Sequence, residues 1–157
     1  DDAPQLPESE EAPMFALLAG YQYHSAAVII GEAGPRDGVA LVDELRGQPG
    51  TRVPHRWIEG DGKRVSTLDL LGSGFTVLTG DDGGAWAADA AAAAAKELGV
   101  PVAVRCVGVT WSDATGLEPD GALLVRPDGF VGWRAPTLAE RPDHELAHSL
   151  STILDRG

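Results

Sequence analysis

Apolar positions fall along this chain in short blocks separated by Gly, Pro and Asp, and the blocks predict the elements. Residues 75–79 form a five-residue, β-rich apolar block that reads as a strand. Residues 80–84, GDDGG, predict a loop. Residues 85–98, AWAADAAAAAAKEL, are almost all strong helix formers, and Gly99 stops them, so propensity alone predicts a helix. Residues 102–107 are the next strand. Residues 122–126 and 130–134 flank Pro127-Asp128-Gly129, the residue types a tight turn needs, and predict a hairpin. Residues 143–155 place Leu146, Leu150, Ile153 and Leu154 on one stripe of a final amphipathic helix.

The first third is less regular. Residues 1–13, DDAPQLPESEEAP, hold acids and prolines but no base, and read as a solvated linker or tail. Residues 14–47 read as a connecting segment with one strand: residues 25–30 form a buried strand ending at Gly31, and 31–38 carry turn chemistry. Residues 39–46, VALVDELR, suit a short helix or a strand. QPGTRVPH, residues 48–55, is an irregular connection because Pro49, Gly50 and Pro54 each oppose regular structure. Ser66 and Asp69 have the spacing of a capping box, which predicts one helical turn over 67–71.

From residue 48 to residue 157 the order is strand, helix, strand, connection, hairpin, helix. A strand–helix–strand unit pairs its strands in parallel through a right-handed crossover. A following hairpin extends the sheet antiparallel, and the last helix covers a face. That is a thioredoxin-like α/β arrangement with a mixed sheet.

Charge narrows the partners. Twelve Lys and Arg against 24 Asp and Glu leave a net charge of −12, which opposes binding to nucleic acid and to anionic membrane surfaces. No apolar run approaches the roughly 20 residues that span a bilayer. The chain opens with Asp-Asp rather than a basic and then apolar leader, and its single cysteine, Cys106, cannot form an internal disulfide. A cytoplasmic protein is expected.

Several motifs are weaker than their letters. His144-Glu145-Leu146-Ala147-His148 spells the H-E-x-x-H of zinc peptidases, in which two imidazoles one turn apart face a metal. Here the apolar stripe of the helix puts both histidines on the opposite, solvated face, and Leu154 stands where a third ligand would be needed; no metal is expected. Gly72-Ser73-Gly74 begins like a dinucleotide loop but precedes a strand and has Val77 in place of the third Gly, so it reads as a turn. The loop where a thioredoxin-like fold would place its reactive cysteine runs Gly80-Asp81-Asp82-Gly83-Gly84-Ala85-Trp86. It has no thiol, and its acids oppose thiolate formation. Cys106 lies within a strand and reads as a buried, inert thiol, against the alternative of a small redox enzyme. His55, in Arg52-Val53-Pro54-His55-Arg56-Trp57, sits in a loop among cationic and aromatic neighbours and reads as a structural or interface residue.

Taken together, PGTRVPHRWI, STLDLLGSGFTVLTG, the Trp of AWAADAAAAAAKELGVPV and the hairpin GALLVRPDGFVGWRA resemble the C-terminal domain of FAD-dependent aromatic hydroxylases, the p-hydroxybenzoate hydroxylase-like group acting on aromatic polyketides and phenols. GYQYHSAAVI resembles the segment leading into that domain. The resemblance implies a thioredoxin-like domain without redox cysteines that packs against an FAD- and substrate-binding part and contributes to subunit contacts, with a possible homo-oligomer. FAD and NAD(P)H are implied for the longer enzyme, and no cofactor for this chain, because the family's Gly-rich dinucleotide loop, its Asp-Gly stretch and its Gly-Asp motif have no match here. The chain alone is then expected to be inactive, with His55, Trp57, Phe75, Trp86 and Trp133 and the Leu146/Leu150/Leu154 stripe as buried or interface anchors. The alternative is a stand-alone thioredoxin-like module that binds a protein or a small ligand.

Overall fold

The computed structural model describes residues 20–31, 39–41, 44–60 and 63–155; the expected linker over 1–13 lies outside them. Two small antiparallel pairs come first: β1 (Tyr21–Tyr23) with β2 (Val39–Leu41), and β3 (Trp57–Gly60) with β4 (Lys63–Ser66). Ser66 then caps a 3-10 turn over Thr67–Leu70. Its hydroxyl accepts from the Leu68 N–H while the Asp69 carboxylate accepts from the Ser66 N–H, the capping box read from the spacing.

The central sheet follows. β5 (Phe75–Thr79) runs parallel to β6 (Val102–Cys106) and antiparallel to β7 (Ala122–Val125), and β7 pairs with β8 (Val131–Ala135). The strands therefore lie in the order β6-β5-β7-β8. A parallel strand pair joined through a helix, extended by an antiparallel hairpin and closed by a helix, is the thioredoxin-like topology the sequence order predicts. Between β5 and β6 the chain forms a π turn over Trp86–Ala90 and then α1 (Ala91–Leu98), where the sequence predicts one unbroken helix. The Ala91 N–H bonds back to the Trp86 carbonyl, and Gly99 ends the helix in the left-handed conformation at φ 65°. After β6 comes α2 (Val109–Thr115), and after β8 comes α3 (Pro142–Ile153).

Strand alternation splits the core between the two faces of the sheet. Phe75, Val77, Ala122, Leu124, Trp133 and Ala135 meet Trp86, Ala90, Ala91 and Ala94, together with Leu146, Leu150 and Ile153 of α3. The small alanines let α1 lie close against α3. The other face brings Leu78, Leu123, Val125 and Val131 against Val53, Ile58, Val107, Trp111 and Leu117. The faces are kept in step by a bulge. Val125 pairs with Val131 and Leu124 with Trp133, so Gly132 is the extra residue, and Val131 and Trp133 point to opposite sides. A Cβ at Gly132 would come within 2.8 Å of Ile153 Cδ1.

The strand expected at 25–30 is overturned. Residues 25–30 are not a strand: they turn, with the Val28 N–H bonded to the Ser25 carbonyl, and then lie across the edge of β8 through one bond from the Ile29 N–H to the Gly132 carbonyl. Their apolar run is explained by burial of Val28 and by packing of Ala27 and Ile29 on the first core. β1 forms instead just upstream, and of the ambiguous 39–46 stretch Val39–Leu41 is a strand. Among the described residues no helix is long and apolar enough to cross a membrane.

Candidate interaction site

The loop between β5 and the π turn is where a thioredoxin-like fold would do sulfur chemistry. It is packed tightly by glycines: a Cβ at Gly83 would sit 1.6 Å from Thr79 Oγ1, and one at Gly80 would sit 2.4 Å from the Pro119 carbonyl oxygen. Trp86 closes the loop from beneath. Its indole N–H donates to the Asp120 carbonyl at 2.8 Å, and its ring meets Trp133 edge to face at 5.6 Å. Asp81 and Asp82 are exposed beside it.

Cys106 is the nearest thiol, and its predicted burial is wrong. It ends β6 in an exposed position, with Sγ 3.4 Å from both the Gly80 carbonyl oxygen and Asp81 Oδ1. Alternation gives it the side of Val102 and Val104, which pack on the first core, but cover falls away toward the end of β6, where Arg105 and Cys106 are both exposed. Partial burial pushes its pKa up; a Gly108 backbone hydrogen bond pulls it back, and the bond and charge of Asp81 push it up again. A thiol held protonated in this way is a poor nucleophile.

The opposite rim carries the most open chemistry. Residues 50–56 run irregularly across the sheet edge, as Pro49, Gly50 and Pro54 predict. They are fixed there by Val53 N–H to the Gly129 carbonyl and by an isolated bridge between Arg52 and Phe130. Thr67 clamps the segment from the other side. Its hydroxyl donates to the Pro54 carbonyl at 2.8 Å and accepts from the Arg56 N–H at 3.0 Å, while its own N–H donates to the Arg56 carbonyl. Between these anchors lies a groove of about 740 Å³, walled by Leu45, Val53, Pro54, Leu68 and Leu71 and edged by Arg52, His55 and Arg56 together with Glu44 and Asp128.

His55 and Trp57 meet edge to face at 5.2 Å, and Arg64 lies over the Trp57 ring at 4.9 Å from across the hairpin. On the other flank Arg52 lies over Phe130 at 4.9 Å, and Phe130 meets Tyr23 at 5.3 Å. Of the expected anchors, Phe75, Trp86 and Trp133 are core residues, as are Leu146 and Leu150, with Leu154 half-buried. Trp57 corrects the expectation of burial: it is 52% exposed, because alternation in β3 turns Ile58 inward and Trp57 outward. The structure therefore brings His55 and Trp57 together and keeps both away from Phe75, Trp86 and Trp133. Arg64, Leu68, Tyr23 and Phe130 were not singled out from the sequence. Only the β3–β4 register and the β8 edge place them at the site.

Arg134 holds the sheet to its surroundings rather than to a ligand. It donates to the carbonyls of Arg46, Thr115 and Gly116, so its charge faces the C-terminal end of α2, and half-burial lowers its pKa. His144 and His148 lie on the exposed face of α3, where the apolar stripe puts them. Among the described residues no three His, Cys, Asp or Glu side chains are grouped to hold a metal ion.

A mixed sheet of this order, with acids and glycines where a reactive thiol would stand, defines a thioredoxin-like domain without the thioredoxin redox site. The chain belongs to the aromatic-ring hydroxylase C-terminal domain family, whose model matches residues 46–157. It is 49% identical to tetracenomycin A2 monooxygenase-dioxygenase of Streptomyces glaucescens over 89% of this chain and 26% of that protein. It is 41% identical to 4-methyl-5-nitrocatechol 5-monooxygenase of a Burkholderia species, over 90% of this chain and 28% of that one. Aklavinone-11 hydroxylase, solved in a ternary complex with FAD and aklavinone, superposes with a TM-score of 0.80 at 39% identity, over 90% of this chain and 28% of that chain. This chain thus spans little more than a quarter of the length of these relatives.

Proposed function

We propose that this chain is the C-terminal packing domain of a longer cytoplasmic FAD-dependent monooxygenase that hydroxylates a phenol or an aromatic polyketide with NAD(P)H and O₂, and that the chain itself is not catalytic. The observation that carries the reading is the coincidence of a family match over the thioredoxin-like part with a redox position that holds Asp81 and Asp82 and no thiol.

The residues here do not fit the flavin. The strand-to-helix loop that could receive a pyrophosphate presents two carboxylates, its Asp82 and Gly83 N–H groups donate to the Pro119 and Gly80 carbonyls, and the space at Gly80 and Gly83 is already filled by Pro119 and Thr79. The flavin would be held by the preceding part of the longer polypeptide, and this chain would pack against that part and contribute to its assembly. A second reading, a stand-alone binding module, draws on the groove beside His55.

Incubation of the purified chain with excess FAD, followed by gel filtration, tests the proposal. Protein emerging without flavin absorbance is the expected result, and stoichiometric retention of flavin would overturn it. A folded chain that bound a small aromatic ligand in the groove, with no affinity for the flavin-binding part, would favour the second reading.

A further inference from the structure

We infer that the face built by Trp57, His55, Arg64 and the groove beside them is the surface through which this chain docks on the flavin-binding remainder of the longer polypeptide, and that the remainder meets it with carboxylates set around an apolar centre. The inference rests on the proposed function and adds the face and the chemistry of its partner.

The apolar argument is one of position. The large hydrophobic side chains exposed among the described residues are Trp57, Leu68 and Tyr23, at 52, 47 and 44%. They are linked by direct contact or a shared wall: Tyr23 touches Phe130, Phe130 lies under Arg52, Arg52 and Leu68 line the groove with His55, and His55 packs on Trp57. Exposed apolar residues scattered singly need no explanation, whereas a connected group marks a contact surface. Among the described residues α1, on the opposite side of the sheet, offers no comparable patch: its outward positions are Ala92, Ala93, Lys96 and Glu97.

The electrostatic argument is independent of that one. On a chain of net charge −12, this face gathers Arg52, Arg56 and Arg64, and none of them has a carboxylate within ion-pair distance among the described residues. The neighbouring acids are engaged elsewhere. Glu44 pairs with Arg46, Asp128 pairs with Arg126 and accepts from the Phe130 N–H, and Asp69 caps Ser66. Among the described residues Glu59, opposite Arg64 in the hairpin register, is the neighbouring acid left without such a partner, against three cations. With Glu44 and Asp128 neutralised by Arg46 and Arg126, the unpaired charges around the exposed aromatics are mainly cationic, and such a rim is complementary to an acidic one. It is unsuited to a second copy of the same face, because a two-fold contact would set cation against cation.

The face is also pre-ordered. The Thr67 clamp fixes the backbone of residues 54–56, and the packed His55–Trp57–Arg64 group holds two side-chain types that dominate contact energies, Trp and Arg. Finally, about three quarters of the length of the matched relatives lies outside this chain, so a partner of sufficient size is at hand.

Hydrogen exchange compared between this chain alone and the longer polypeptide that contains it tests the inference. The expected result is that amides of residues 52–59 and 63–70 exchange roughly tenfold or more slowly in the longer polypeptide. Arg64→Glu or Trp57→Ala, both on the outer face of the hairpin and outside the backbone clamp, should return those amides toward the rates of the isolated chain. Lys96→Glu on α1 should leave them unchanged. Slowing confined to α1, α3 or the β6 edge would overturn this inference and leave the proposed function standing. No slowing on any face would overturn both.

Discussion

The two faces of the central sheet bury the same kinds of side chain and finish differently. Beneath α1 and α3, Trp86 and Trp133 lie edge to face, and every aromatic on that side is covered. Beyond the other face, the core of Leu78, Trp111 and Leu123 is covered by a two-stranded hairpin, and the hairpin turns Trp57 and Arg64 away from it. The difference lies in what covers the sheet. A helix of alanines seals a surface with its inner stripe and leaves little apolar area outside. A hairpin alternates residue by residue, so what it gives to the core with Ile58 and Val65 it also presents outward with Trp57. One face is finished by the chain itself. The other is left to be finished by something else.

That contrast breaks if the two tryptophans behave alike. Trp86→Ala removes a fully buried ring, its contact with Trp133 and the hydrogen bond to the Asp120 carbonyl, and should cost about 3–5 kcal/mol in urea unfolding of this chain. Trp57→Ala, measured in the same way, should cost less than about 1 kcal/mol. Equal costs would mean that the hairpin side is a second closed core and not an open face.

The sealed side extends to the loop that replaces a redox site. Gly83→Ala forces a methyl into Thr79 and should cost about 1–3 kcal/mol by overpacking, read as a lower urea midpoint. An unchanged midpoint would show that the loop has room for a side chain, and so for a thiol-bearing turn. On the hairpin side, Ser66→Ala removes the capping hydroxyl above Leu68 and should cost about 0.5–2 kcal/mol. Its effect should be confined to exchange of residues 66–70, since the turn fully buries Thr67 alone and adds only the half-buried Leu70 to the second core.

How much of this was legible in the sequence follows the same division. β5, α1, β6 and the β7–β8 hairpin are long apolar or alanine-rich blocks bounded by Gly and Pro, so local pattern and tertiary structure agree there. The hairpin of β3 and β4 is not such a block. Each strand gives the core one inward residue, Ile58 or Val65, and two apolar positions carry no readable period. The seven-residue α2 was missed for a related reason. VTWSDAT is poor in helix formers, and its helix is held by the burial of Trp111 and the left-handed Gly116. Conversely 25–30 looked like a strand because burial and strand pairing leave the same apolar signature in a short run. For the site, His55 and Trp57 stood out by residue type, but Arg64 joins them only through the β3–β4 register. Phe130 and Tyr23 join only through the edge of β8, contacts that no local spacing encodes.

The smallest effect expected concerns Cys106, and it separates a relic of sulfur chemistry from a working site. Burial raises the thiol pKa most, the Gly108 backbone bond lowers it, and the hydrogen bond and charge of Asp81 raise it further, for a net upward shift. A raised pKa means less thiolate at neutral pH than in an unstructured peptide. Alkylation should accordingly be slow at pH 7 and should accelerate only as pH climbs past the ordinary thiol range. The linkage has the matching sign. The folded state favours the protonated thiol, so this contribution to stability is complete below the unfolded-state pKa and is lost as pH rises through the folded-state value. Asp81→Asn removes the adjacent charge but leaves the burial. The alkylation rate at pH 8 should then rise by a factor of a few, with the wild-type profile displaced downward in pH and its shape kept. A thiol that reacts rapidly at pH 7 in the unmodified chain, and more slowly in Asp81→Asn, would show that the carboxylate activates the sulfur as a base, and would reopen the β5 loop as a site of chemistry.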